Sequence, residues 1–373
     1  MKKIPISQVD ALFADGSYPI EFLFIYNEAF PTKKLRNALR ILSSPFYPLF
    51  STYRGGEILF EKYEEENHFM EESRDRDLDL SEFETSSPEW ISRYSVKERK
   101  HLFFLKAIRY RNGLILVPKM DHLAGDGYSY FYFLSVLASL THSALPPLKS
   151  LFLTAVVKPR HQRTILREFC LTDINRGPFR PDTDFTIEHR QIPCREVQAH
   201  ITSALKQGNR VSSNDILAAT VTKRLLEVNP GFWGKEIELT IPIDVRRQLK
   251  EYGRRFFGNS LMLHTLKLDR EQFRESSLEK SAAQIRTSLP TITRQVYISY
   301  LEHLEKLISE KQWERFRPFD PRRGCLVTNL SRLPADRLDF GSGPPARIIP
   351  LTVEKNSAGI LRTEEDYVMR LVH

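Results

Sequence analysis

His122 and Asp126 stand four residues apart in "DHLAGDG", with Ala124, Gly125 and Gly127 between and beside them. An unperturbed imidazole titrates near about 6.5, so a neutral histidine on a fixed backbone can act alone as a general base. The carboxylate has two available uses. It can cap the helix that follows, or it can pair with an arginine and lock the loop so that the ring keeps one orientation. The first use makes the pair punctuation between two elements. The second makes His122 a working group and requires a buried arginine elsewhere. Spacing alone leaves both open. No second His, Cys or carboxylate lies at ligand spacing on a regular element, so no metal is expected. A serine hydrolase needs a nucleophile on a tight elbow; no G-x-S-x-G occurs, and "FGSGPP" does not fit.

The elements that must position these residues are readable around them. "HLFFLKAIRY" and "LILVP" read as strands, the second a buried one, and Arg111-Asn112-Gly113 between them marks a tight hairpin. From Gly127 an almost wholly apolar helix carries Phe131, Phe133, Leu134, Val136, Leu137 and Leu140. Upstream, Pro31-Thr32 with Leu35, Leu39 and Leu42 predicts a helix ending before Pro45, and residues 58–60 a short strand. Pro and Gly breaks from Pro146 to Arg195 predict a crossover linker. Val197, Ile201 and Leu205 before Gly208 predict a helix, and Ser212 with Asp215 opens another as a capping-box variant. "IELTIPIDV" and "SLMLHTLKL" read as strands, followed by helices near 270–289 and 293–316 and a tail of strands and turns. Helices and strands interleave without strict alternation or repeat, which predicts a mixed α/β, two-lobed chain. The divisions are an N-terminal lobe over 1–155, a linker over 156–195 and a C-terminal lobe over 196–373.

The 373 residues carry 41% hydrophobic side chains and a formal charge of +8. Residues 61–90 hold twelve acids against three bases and read as a loop or surface excursion. The bases elsewhere come in short clusters with no sustained helical stripe, so nucleic acid is not expected as a partner. No apolar run approaches a membrane span and the start lacks a secretory h-region. Cys170, Cys194 and Cys325 are too few and too dispersed for a disulfide framework. A cytoplasmic location is the expectation.

Four stretches in order carry a family resemblance. His122-Leu-Ala-Gly-Asp126-Gly127 resembles the HxxxD(G) motif of the coenzyme A-dependent acyltransferase superfamily, which includes the BAHD enzymes, condensation domains and chloramphenicol acetyltransferase. "IPIDVRRQL…FFGN" resembles its "D-x-R…GN" segment, "VTNLSRLPADRLDFGSGPP" the BAHD run "VTSWTRLP…DFGWGKP", and "VSSNDILAA" the helix start that precedes the second-lobe strands. "ISQVDALF" near the start also has the family's opening look. Ser342 replaces the tryptophan of "DFGWG", Asn329-Leu330 replaces "SW", and Asp121 replaces the first histidine of the condensation "HHxxxDG".

The resemblance implies two similar chloramphenicol-acetyltransferase-like lobes of mixed-sheet α/β sandwich with a channel between them. It implies a secondary-metabolism type of acyl transfer from a coenzyme A thioester to the hydroxyl or amine of a small-molecule acceptor. His122 would be the base, and Thr328 or Asn329 would be donors to the oxyanion. Asp126, Gly127, Arg246, Asn259, Asp339 and Gly341 would shape the site, with Arg246 or Arg247 paired to a carboxylate. Lys158, Arg160, Arg254 and Arg255 are candidate contacts to coenzyme A phosphates. No permanently bound cofactor is implied and a monomer is expected. Two alternatives stand beside this one: a condensation-type enzyme whose donor is an acyl-phosphopantetheine on a carrier protein, and a non-catalytic binding module on the same fold.

Overall fold

The computed structural model describes residues 2–54, 56–83, 87–97, 100–142, 159, 184–229 and 233–373. The first part of the chain forms β1 (Lys2–Pro5), α1 (Gln8–Ala11), β2 (Ile20–Tyr26), α2 (Thr32–Leu42), β3 (Thr52–Arg54), β4 (Glu57–Phe60), β5 (Phe69–Ser73), α3 (Pro88–Tyr94), β6 (Phe103–Arg109), β7 (Leu114–Met120) and α4 (Gly127–His142). The second part forms β8 (Ile187–Pro193), α5 (Cys194–Lys206), α6 (Ser213–Val228), β9 (Glu236–Asp244), β10 (Leu261–Asp269), α7 (Arg270–Glu275), α8 (Leu278–Ser288), α9 (Arg294–Ser309), β11 (Gly324–Asn329), β12 (Arg347–Pro350), β13 (Ser357–Arg362) and β14 (Asp366–Val372).

The chain divides into two compact units that do not follow its order. The first comprises Met1–Arg180 together with Arg246–Ser260 and Leu333–Thr352; the second comprises Pro181–Val245, Leu261–Arg332 and Val353–His373. The "GN" and "DFGSG" stretches therefore group with the unit that holds His122. Ile187–Pro193, within the stretch read as a linker from its breaks, is a strand of the second unit.

The first unit is built on a mixed five-stranded sheet in the order β12-β2-β7-β6-β5, with β5 parallel to β6 and the other pairs antiparallel. β1, β4 and β3 make a separate antiparallel sheet. The β6–β7 hairpin closes where Tyr110 N donates to Gly113 O at 2.9 Å. A Cβ at Gly113 would meet the Tyr26 carbonyl oxygen at 2.7 Å, so the turn admits only glycine at this close approach. β2 and β7 are buried almost throughout, as strands covered on both faces are. α4 packs against α2 and sinks Tyr130, Phe131, Phe133, Leu134 and Leu137 into the core.

The acidic stretch is more ordered than its charge suggests. Phe69 is 5% exposed and starts β5, while Glu71 on that strand accepts from Arg109 Nε at 3.0 Å, Thr32 Oγ1 at 2.8 Å and Arg36 Nη2 at 3.2 Å. Its carboxylate is held below the ordinary range; burial opposes this, but the hydrogen bonds and the two arginines outweigh it. Counting charges hid a strand whose acid is neutralised by distant partners.

The second unit carries a mixed six-stranded sheet in the order β10-β9-β11-β13-β14-β8, with β11 parallel to both neighbours. α6 and α8 pack together beside it, and Leu217, Val221, Leu225, Leu239, Phe273, Ile285, Ile360 and Met369 fill the core. Instead of two helices over 270–316 there are three. Asp269 and Ser277 each cap a new start, accepting from Gln272 N and Lys280 N, and these caps split the first span. No described helix is long and apolar enough to cross a membrane.

Candidate active site

His122 follows β7 in a turn in which Ala124 N donates to Asp121 O at 3.0 Å and Gly125 N to His122 O at 3.3 Å. Asp121 holds the turn by accepting from Leu123 N at 2.9 Å, and burial pushes its carboxyl up to about 6. α4 then begins, and Asp126 Oδ1 accepts from Ser129 N at 3.0 Å as an N-cap does. The same carboxylate does more. Arg246 Nη1 donates to Oδ2 at 2.8 Å and Nη2 to Oδ1 at 2.9 Å, with the two side chains 2% and 1% exposed. Ser260 N donates to Oδ2 at 3.0 Å. Helix cap and arginine pair, the two uses the spacing left open, thus coexist in one side chain.

Arg246 is saturated on its other side. Nη2 donates to Ser129 Oγ and to Gly258 O, both at 3.0 Å, and the guanidinium lies 4.5 Å from the Tyr128 ring centroid. Ser129 Oγ also accepts from Gly258 N at 3.0 Å. The "FFGN" segment is thereby stitched to the first turn of α4 through one arginine and one serine. Gly125 permits the approach: a Cβ there would meet Ser129 Cβ at 2.9 Å and Gly258 Cα at 3.5 Å. Burial alone would raise the Asp126 pKa, but the Arg246 charge and bonds and the Ser260 and Ser129 amides hold it below the usual carboxylate range.

Asn259 Nδ2 donates to the His122 carbonyl at 2.8 Å and to Asp10 Oδ1 at 2.9 Å. Asp10 is fixed by the capping box of α1, accepting from Ser7 N at 2.7 Å while its own N–H donates to Ser7 Oγ at 3.2 Å. Three residues on, the Phe13 ring stacks on the His122 imidazole, centroids 3.8 Å apart and planes 21° apart. His122 as a residue keeps partial exposure, while its Nδ1 is buried and without a close hydrogen-bond partner. Burial pushes the His122 pKa down to about 4, against the raising influence of Asp126, Asn259 and Asp10. The ring is neutral at neutral pH.

Asp339 lies in the same unit but in a different bond set. Oδ1 accepts from Gly341 N at 2.7 Å and Gly343 N at 3.0 Å, and His142 Nδ1 lies 3.1 Å from Oδ2. Gly341 and Gly343 have φ of 117° and 87°, in the left-handed region that favours glycine. The loop seats Phe340 on Phe30, stacked at 5.7 Å. Arg254 and Arg255 are exposed on the Arg246–Ser260 segment, and Tyr128 Oη donates to the Arg254 carbonyl at 3.0 Å. Lys158 and Arg160 lie outside the described residues.

Thr328 and Asn329 end β11 in the second unit, with Thr328 opposite Gly359. The Asn329 Nδ2 donates to Asn214 Oδ1 and its Oδ1 accepts from Ser331 N, both at 2.9 Å. Sequence reasoning assigned no role to Asp10, Phe13, Ser129 or Ser260. The Ser7/Asp10 capping-box spacing and a serine three residues into the helix were the available signals. No cluster of three or more potential metal-ligating side chains occurs among the described residues.

Mixed sheets in two units, with a histidine at a strand–helix joint braced by a buried Asp–Arg pair, define an acyltransferase-type fold. A model of the Transferase family, the BAHD acyltransferases, matches residues 1–369, and the chain belongs to that family. Among solved structures it is similar to vinorine synthase (18% identity, 100% of this chain and 90% of that one, TM-score 0.75). It is also similar to F. sporotrichioides TRI101 complexed with coenzyme A and T-2 (13% identity, 99% and 94% covered, TM-score 0.74). The first condensation domain of the CDA synthetase shares the fold at 12% identity, 99% and 90% covered and a TM-score of 0.61. No curated protein sequence matches the chain.

Proposed function

We propose that the protein transfers an acyl group from a coenzyme A thioester to a hydroxyl or amine of a small-molecule acceptor, with His122 as general base. The observation that carries this reading is the partly exposed His122, with a neutral imidazole, on a joint immobilised by the buried Asp126–Arg246 pair. Family membership supplies the reaction class, and the TRI101 complex supplies a precedent for the donor. With Nδ1 buried, Nε2 is the nitrogen left to take the acceptor's proton as its oxygen or nitrogen attacks the thioester carbonyl carbon. The tetrahedral intermediate collapses with cleavage of the C–S bond, and His122 returns the proton to the departing thiolate. Thr328, which matches the threonine of the family's "VTSW", is the preferred donor to the developing oxyanion, with Asn329 second. Arg254 and Arg255 are proposed contacts to the donor's phosphates.

Acetyl-, hexanoyl- and benzoyl-coenzyme A incubated with a panel of alcohols and amines, with free thiol followed by a chromogenic reagent, test the assignment. His122→Ala should cut acceptor-dependent thiol release by about 10²–10⁴ while donor binding persists. Unchanged release would sink the general-base role. The fold shared with a condensation domain favours one second reading, in which the donor is an acyl-phosphopantetheine on a carrier protein. That version predicts turnover with an acylated carrier and almost none with free acyl-coenzyme A.

A further inference from the structure

We propose that Phe13 is a positioning residue of the transfer reaction, its ring clamping the His122 imidazole in one plane. The inference rests on the reading of His122 as the base. A histidine that must aim one nitrogen is usually oriented by a hydrogen bond at the other. Here that device is weak: Nδ1 of His122 is buried without a close partner, and the only hydrogen bonds favouring the protonated ring come from the residue's own backbone and the Asn259 side chain. Its neighbours are engaged elsewhere. Asp126 is bonded by Arg246, Ser129 and Ser260, and Asn259 Nδ2 serves Asp10 and the main chain of His122. The closest restraint on the plane of the ring is the face of Phe13, stacked at 3.8 Å and 21°.

Phe13 is itself fixed. It is 3% exposed, its N–H donates to Asp10 O at 2.9 Å, and its carbonyl accepts from Gly16 N at 3.1 Å. Tyr18 meets it edge-on at 6.2 Å, from a backbone with φ of 56° that a bulky L residue rarely adopts. Such strain is retained where the surroundings over-determine it, often beside functional groups. One short segment thus grips His122 twice, through Asp10 and Asn259 at the main chain and through Phe13 at the ring.

Phe13→Leu removes the planar partner while filling most of the volume, and Phe13→Tyr keeps the ring. Both are compared in the full chain with acetyl-coenzyme A and the alcohol panel. Misplacement of a reacting group by about 1 Å can cost about 10²-fold, so kcat of Phe13→Leu should fall by roughly 10–100-fold. Its donor KM should stay put, and Phe13→Tyr should recover most of the turnover. Carbon-13 relaxation of the imidazole ring gives a readout independent of turnover. The wild-type ring should show the high order parameter of a fixed side chain, and Phe13→Leu should lower it. The carboxylates of Asp126 and Asp10 act on this ring in both proteins, so the difference reports the stack. If Phe13→Leu is poorly folded, Phe13→Met takes its place.

Unchanged kcat and an unchanged ring order parameter in the aliphatic variant would overturn the clamp. Equal losses in the aliphatic and aromatic variants, tracking melting temperature, would do the same. Failure of the underlying reading looks different: His122→Ala would then keep its turnover, whatever Phe13 does.

Discussion

Replacing Asp126 by asparagine changes one atom, yet the geometry makes it costly. Every contact of the carboxylate comes from a donor: two from Arg246, the amides of Ser129 and Ser260, and the Ser260 hydroxyl at 3.5 Å. An asparagine NH₂ would face N–H donors in either orientation, with only the distant Ser260 hydroxyl able to accept. It would also leave the Arg246 guanidinium, 2% exposed, without its counter-charge. Breaking such a buried pair costs about 3–5 kcal/mol. Against a typical total of about 5–15 kcal/mol, that is a large share of the stability.

Trp90 is the sole tryptophan in the segments of the first unit, the others being Trp233 and Trp313. Its fluorescence, in a background where those two are phenylalanine, reports unfolding of this unit in urea. Asp126→Asn should lower the fitted stability by about 3–5 kcal/mol and reduce turnover with it. Asp126→Leu combined with Arg246→Met should lose less than the two single changes summed, because no charge is then stranded. The carboxylate's folded-state pKa lies below its unfolded value near about 3.9. Its contribution is therefore present above that value and lost as pH falls through the folded pKa, so the Asn variant should have a flatter acid limb below about pH 4. An Asp126→Asn protein as stable as wild type but inactive would refute the bracing role and place the carboxylate in the chemistry.

Three further outcomes are expected. With the His122 pKa pushed down to about 4 by burial, kcat/KM should stay level from neutral pH down past 6 and fall only near 4; a fall centred near about 6.5 would show an unperturbed ring. Over that range the unfolded chain takes up a proton that the folded ring refuses, so stability should drop as pH falls from about 6.5 to 4, and by less in His122→Ala. Gly125→Ala drives a methyl against Ser129 and Gly258, and urea titration should find a loss of about 1–3 kcal/mol together with reduced kcat. Arg254→Glu combined with Arg255→Glu should raise the donor KM at low salt, with the difference shrinking as ionic strength rises; an unchanged KM would remove these side chains from phosphate binding.

The strand, turn and helix around His122 were legible because their causes are local: a short apolar run, an Asn-Gly turn and a longer apolar run. The need for a buried arginine was also legible, because a carboxylate locking a loop requires a counter-charge. Its identity, Arg246 rather than Arg247, depends on which way the segment before "FFGN" turns, and that is set by bonds to nearby Gly258 and to Ser129, far away in sequence. Phe13 and Asp10 were invisible as site residues for the same reason: a capping box announces a helix start, not what the helix touches. β5 shows the converse. Its acids mark it as solvated surface until Arg109, Arg36 and Thr32 converge on Glu71, and local charge then no longer predicts exposure. In this chain, the residue that performs the proposed chemistry can be read from a motif of a few residues. The groups that hold its ring and main chain come from three separated segments, beginning at Asp10, His122 and Arg246. Bracing of this kind is a property of the folded chain, so a mutation such as Phe13→Leu can cost turnover without touching any residue of the motif.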